Sequence, residues 1–287
     1  MKKAWLAVRY ASFILFIASL GWASHAAAEI KLSFGVYTAD KPTVVVRAFK
    51  PLLKQLERFV SDDLGEPVTI KLQVASSYAA GVSDISLGRV DFSRLGPASY
   101  VETKAQQSGI QILALEAKNG KKRFSGVIAV GADSAIRRVS DLKGKRFAFG
   151  DESSTIGRYL VQQYLVEHGL HADDFSHYDY LDRHDKVGTA VALGQYDAGA
   201  LKQGTYQRLV DNGAKLRILV MFYNVTKPWI ARAGLDERVV TALRAGLLNI
   251  TDPVALKGLQ IHGFVEGDDH DYTVIRRAID HNSRFFN

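Results

Sequence analysis

A two-lobed α/β protein with open sheets is the fold class that the sequence predicts, and three observations predict it. Strand-like and helix-like patterns alternate from Ile30 to about Val220, the order that produces an open, largely parallel sheet flanked by helices. An ungapped internal repeat presents one helix–strand–helix unit twice. The chain has 287 residues, enough for two domains at a prior of about 150 residues each.

The elements follow in order. The chain opens MKKAWLAVRYASFILFIASLGWASHAAAE, in which Lys2, Lys3 and Arg9 precede an apolar run from Phe13 to Ala23 and the small residues Ala26, Ala27 and Ala28 follow. This pattern is expected of a secretory signal peptide over 1–28, cleaved before Glu29. A membrane span needs about 20 apolar residues, more than this run supplies. From there, Ile30, Leu32, Phe34 and Val36 alternate with their neighbours as in a half-buried strand. Ala48, Phe49, Leu52, Leu53, Leu56, Phe59 and Val60 recur at intervals of three and four, a helix in which Pro51 is expected to cause a kink or a restart. Gly65 and Pro67 close it, and Val68 to Ala75 reads as the next strand. Beyond Asp236 the tail is expected to be mostly helical.

The repeat sets SSYAAGVSDISLGRVDFSRLGPASYV, from Ser76, over DRHDKVGTAVALGQYDAGALKQGTYQ, from Asp182. Leu87, Gly88, Asp91, Leu95 and Tyr100 fall on Leu193, Gly194, Asp197, Leu201 and Tyr206, while Ser99 falls on Thr205 and Tyr78 on His184. Each copy reads as a short helix, a Leu-Gly stop, an Asp-led strand and a second helix. Shared turn chemistry is the bland alternative; two lobes of similar build is the expectation taken.

Composition narrows the partners. Removing the 28-residue leader takes away three of the 37 basic side chains and none of the 30 acidic ones, leaving 259 residues with a balance of +4. A mild excess suits a soluble protein that tolerates anions better than a nucleic-acid binder. The basic clusters Lys121-Lys122-Arg123 and Lys143-Gly144-Lys145-Arg146 lack interleaved aromatic residues. The chain contains no cysteine, which excludes disulfides, thiolate metal sites, a cysteine nucleophile and a lipid-carrying cysteine. The mature chain is therefore expected to be untethered.

One helix start stands out. In GDESSTIGRYL, Ser153, Ser154 and Thr155 occupy the place of an N-cap, but the first turn holds Thr155, Ile156, Gly157 and Arg158 in place of the usual acid. Free N–H groups there attract an anion by roughly 0.3–1 kcal/mol, and up to about 2 when partly buried. Hydroxyls from Ser154 and Thr155 can donate to an oxyanion, and Gly157 is expected to let it approach closely. An ordinary Ser/Thr cap is the competing explanation. Ligands of open α/β sheets lie beyond the carboxyl ends of strands, and Tyr78, Ser154 and His184 each stand at such a corner.

The runs RVDFSRLGPASYVE, DLKGKRFAFGDESSTIG, RHDKV and GQYDAGAL together resemble the periplasmic substrate-binding proteins of phosphate, phosphite and phosphonate ABC transporters. The resemblance covers essentially the whole mature chain. It implies a type II periplasmic-binding-protein fold, with a discontinuous first lobe (29–117 plus 223–287) and a second lobe (118–222) closing over a ligand cleft. It further implies a periplasmic, non-enzymatic monomer without cofactor or metal. Such a protein captures a small oxyanion and presents it to an ABC permease in the inner membrane, or in the alternative to a membrane sensor kinase. The family's Ser-Thr-Ser-Gly motif falls on Ser154, Thr155, Ile156 and Gly157, its histidine on His184 and its first-lobe tyrosine on Tyr78. Ile156 replaces the second serine and Phe124 stands where the family has tyrosine, so two hydroxyls are missing. The return segment NVTKPWIARAG offers the cations Lys227 and Arg232 but no acid. A compact, fully anionic ligand is therefore expected to bind better than an amine-bearing one, whose buried ammonium would need a carboxylate.

Other chemistries are weaker. Ser154, His184 and Asp185 could be enlisted as a hydrolytic triad, but no G-x-S-x-G elbow is present. His177, Asp179, Asp182, His184 and Asp185, or Asp268 to Asp271, lack a recognised metal-ligand spacing.

Overall fold

The computed structural model describes residues 29–37 and 42–287; the leader assigned to 1–28 lies outside them. Strand β1 (Ile30–Tyr37) leads to helix α1 (Pro42–Leu64), which runs through Pro51 without restarting. Strand β2 (Val68–Ala75), helix α2 (Tyr78–Ser86), strand β3 (Phe92–Arg94), helix α3 (Pro97–Gln106) and strand β4 (Gln111–Ala117) complete the first passage. The chain then builds a second sheet from β5 (Arg123–Gly131), β6 (Arg146–Phe149), β7 (His177–Tyr180), β8 (Ala198–Lys202) and β9 (Leu216–Val225). Helices α4 (Val161–Glu167), α5 (His184–Ala192) and α6 (Gln203–Asp211) connect these strands. It returns to the first sheet through β10 (Pro228–Ala231), α7 (Glu237–Asn249), α8 (Pro253–Lys257) and β11 (Gly263–Val265), and ends in α9 (Thr273–Asp280).

The first sheet has the order β11-β4-β10-β3-β1-β2 and the second β7-β6-β8-β5-β9. Both are mixed, a correction to the largely parallel sheets expected. Strands β1, β2 and β3 pair in parallel, as do β6, β7 and β8, whereas β4, β10 and β11, and β5 with β8 and β9, pair antiparallel. Apolar periodicity marks a strand but not its direction, which the crossings between sheets decide. The short strand β11 likewise interrupts the helical tail.

Each sheet organises its own core. In the first, the Trp229 ring stacks on Phe34 with centroids 4.6 Å apart, and Phe49 and Phe92 close the cluster. Leu52, Leu56 and Val60 of α1 are fully buried against it, each contributing about 1.5–3 kcal/mol relative to exposure. The second core gathers Phe147, Phe149 and Phe175. Phe285, near the chain end, packs edge-on to Phe149 at 5.5 Å, and Asn282 donates to Gln162. The tail grouped by sequence with the first lobe thus lays its last turns on the second.

The repeat has a three-dimensional counterpart. Helices α2 and α5 both stop at Gly88 and Gly194, held at φ +69° and +71°, a conformation that glycine adopts at little cost. Asp91 then accepts from the Ser33 N–H of neighbouring β1 at 2.8 Å, and Asp197 from the Arg146 N–H of neighbouring β6 at 2.8 Å. Tyr78 and His184 are the first residues of their helices, at the carboxyl ends of β2 and β7.

Three segments cross between the sheets and are tied together. The Thr226 N–H donates to the Lys122 carbonyl at 3.1 Å, the Tyr272 hydroxyl donates to the Thr226 carbonyl at 3.0 Å, and Lys122 pairs with Asp271 at 2.8 Å.

Candidate functional site

The carboxyl ends of strands from both sheets face one cavity of ≈ 90 Å³. Elements of both sheets position its polar wall. Ser154 caps the π-helical turn Thr155–Leu160 that precedes α4, its Oγ accepting from the Gly157 N–H at 2.9 Å. The ordinary capping role is therefore filled, and the hydroxyl keeps a proton to donate. Thr155 turns the other way: its Oγ1 accepts from the Ala98 N–H at 2.8 Å, which lies in the first turn of α3 under the opposite sheet. Both hydroxyls are buried at the cavity wall. A π-helical turn of this kind is frequent at functional sites.

Tyr78 and His184, also buried, line the cavity from the starts of α2 and α5. The Tyr78 ring stacks on Tyr37 at 4.1 Å. Tyr37 closes β1, and its hydroxyl accepts from the Gly96 N–H at 2.6 Å and shares a 2.8 Å hydrogen bond with Ser99. Burial pushes the Tyr37 phenol up to about 12, so it stays protonated at neutral pH. Gly96 is required there, because a Cβ would lie 2.6 Å from the Tyr37 oxygen.

The opposite wall comes from the crossing strands. Phe124 of β5 lines the cavity beside Lys227, whose Nζ lies 5.6 Å from the ring centroid, within cation–π range. Ile156 adds an apolar face. Arg94 and Lys202, the last residues of β3 and β8, contribute charge together with Arg208 of α6. Arg94 is held by Glu116 in a bidentate pair at 2.7 and 3.1 Å. Burial disfavours the Glu116 carboxylate, but Arg94, Lys227 and the Trp229 N–H outweigh it and hold the carboxyl below its ordinary value. Among the described residues, the cavity lining contains Arg94, His184, Lys202, Arg208 and Lys227 and no carboxylate.

Of the residues singled out from the sequence, Tyr78, Phe124, Ser154, Thr155, His184 and Lys227 meet at this cavity. Gly157 does not line it. A Cβ there would sit 2.7 Å from the Gly150 Cα, so this glycine lets the turn pack backbone-to-backbone on the end of β6. Arg232 is likewise elsewhere, paired with Asp91 at 3.0 Å. Asp185, the orienting acid of a hydrolytic triad, binds Arg183 at 3.0 Å, and Asp179 is taken by His177 and Tyr196.

Sequence reasoning missed Tyr37, Arg94, Lys202, Arg208, Asn224 and Gln260, all of which line the cavity. Three carried a signal: Tyr37, Arg94 and Lys202 each end a strand on the ligand side of an open sheet. Gln260 carried none, since it reaches the cavity from a loop held at φ +58°.

Comparison with known proteins places the chain in a family. The family described as ABC transporter, phosphonate, periplasmic substrate-binding protein matches residues 34–272. A probable ABC transporter phosphite binding protein of Prochlorococcus marinus (strain MIT 9301) is 24% identical over 220 residues, spanning 72% of this chain and 71% of that protein. The phosphate-import protein PhnD of Mycolicibacterium smegmatis is 25% identical over 253 residues, spanning 83% and 76%. Among solved structures, PhnD1 from Prochlorococcus marinus in complex with methylphosphonate shares the type II periplasmic-binding-protein fold. Its TM-score is 0.78 at 22% identity, over 88% of this chain and 98% of that one.

Proposed function

Because the chain belongs to the family of phosphonate ABC-transporter periplasmic substrate-binding proteins, we propose that it captures a small phosphorus oxyanion (phosphonate, phosphite or phosphate) and hands it to an ABC permease in the inner membrane. The family is one of transport proteins and not of enzymes. The observation that carries the ligand class is the cavity wall, which combines four cations, a histidine and hydroxyls from both lobes with no carboxylate among the described residues. In this reading Ser154, Thr155, His184 and Tyr78 hold the oxyanion, joined by Tyr37. Lys227 supplies charge, and Phe124 and Ile156 wall the side where a substituent would lie. The charge-assisted hydrogen bonds are each worth roughly 1.5–3 kcal/mol. Export through cleavage of the 1–28 leader would place the mature chain in the periplasm as a monomer.

Calorimetry on protein stripped of ligand by unfolding and refolding tests this. Phosphate, phosphite or methylphosphonate is expected to bind more tightly than aminoethylphosphonate, because a buried ammonium among these cations would be uncompensated. A clear preference for the amine would sink the ligand assignment.

A further inference from the structure

Asn224 stands opposite Phe124 in the β5–β9 pairing and lines the cavity with it. It is only 3% exposed, yet neither its amide nitrogen nor its amide oxygen has a hydrogen-bond partner among the described residues. Two positions on, Thr226 is 2% exposed with its hydroxyl equally unpartnered. It lines a recess that continues the cavity past Phe124 and Lys227. Buried polar groups are almost always paired, because leaving one unmade is expensive. Two such groups lie on one crossing segment, in residues that line the cavity and its recess, where a ligand can complete them.

The chemistry of the amide narrows what that ligand brings. The NH₂ donates and the carbonyl oxygen accepts, and a half-turn of the amide exchanges their places without removing either requirement. A fully deprotonated oxyanion offers only acceptors, so it satisfies the nitrogen and leaves the oxygen unpaired. An ammonium would satisfy the oxygen but would lie among Arg94, Lys202, Arg208 and Lys227, and the carboxylate that lines the recess, Glu116, is already held by Arg94. Resting on the reading of the cavity as a phosphorus-oxyanion site, we infer that Asn224 recognises a ligand hydroxyl. The ligand carries an O–H donor beside its oxyanion oxygens, either the P–OH of a singly protonated oxyanion or a hydroxyl on a short substituent, and donates it to the Asn224 Oδ1.

Calorimetry with two matched pairs tests this and separates the sources. Phosphate against sulfate isolates the P–OH, which sulfate lacks at neutral pH; hydroxymethylphosphonate against ethylphosphonate isolates the substituent hydroxyl at nearly constant size. The wild-type chain is expected to prefer the hydroxyl-bearing member of at least one pair by roughly tenfold or more. Asn224→Leu is expected to erase that preference, with Asn224→Ala as the second variant should the first fail to fold. Equal affinities within both pairs on the wild-type chain would overturn the inference without any variant, and so would a preference that survives both substitutions. Binding of phosphorus oxyanions without either preference leaves the proposed function standing and removes only the role of Asn224. Failure of every phosphorus oxyanion to bind removes both.

Discussion

Ser154 and Thr155 are adjacent hydroxyls with different structural duties. Ser154 satisfies the N–H of its own helix start, while Thr155 satisfies one across the cleft. Replacing Ser154 with alanine is expected to cost about 1 kcal/mol of stability, the usual loss of an N-cap, and to weaken oxyanion binding besides. Thr155→Val keeps the shape but removes both the acceptor for Ala98 and the donor for the ligand. It is expected to lower affinity by about tenfold or more and, because the buried Ala98 N–H loses its acceptor, to lower the unfolding midpoint at least as much as Ser154→Ala. Paired calorimetry and urea titrations would show it, and unchanged affinity in both variants would move the site elsewhere.

At the level of elements, the Arg94–Glu116 pair fastens β3 to β4 across the intervening β10, whose Trp229 N–H also donates to Glu116 at 3.3 Å. Both side chains are largely buried, at 15% and 5% exposure, so the pair matters more through the cost of breaking it than through its net attraction. The folded carboxyl lies below its unfolded value, which is near 4.5. The stabilisation is therefore complete above that pH and is lost as the pH falls through the folded value. Glu116→Gln is expected to destabilise the protein by about 3 kcal/mol at neutral pH and to flatten the acid limb of its stability curve. Thermal melts from pH 7 downward would check both; an acid limb as steep as wild type would refute this role.

For the whole molecule, the cleft is bridged in this structure by the Thr155–Ala98 hydrogen bond and by Gln260 against Gly204. The crossing segments around Lys122, Thr226 and Asp271 form a compact, cross-tied waist. Closure about such a waist is the motion by which binding proteins of this architecture enclose ligands. Small-angle scattering is expected to show a larger radius of gyration for the stripped protein than for protein saturated with phosphate or methylphosphonate. Identical profiles, with binding confirmed in parallel, would argue against closure.

The sequence by itself determined the repeated helix–strand–helix unit and most of the polar corner residues that meet at the cavity. The 2.0 and 3.6 periodicities, the Leu-Gly stops and the hydroxyl-rich corner at Ser154 are local features that a chain carries wherever it folds. Tertiary structure alone decided the rest. The mixed strand directions depend on the paths between sheets, and the tail's shift onto the second core depends on where Phe285 finds a partner. Gly157 is singled out in sequence as a ligand contact, and in space it packs on Gly150, seven residues away. Asn224 resembles any polar residue near a strand end until the fold buries it without a partner. Whether a polar group is satisfied is a property of what surrounds it in space, and no pattern along the chain records that.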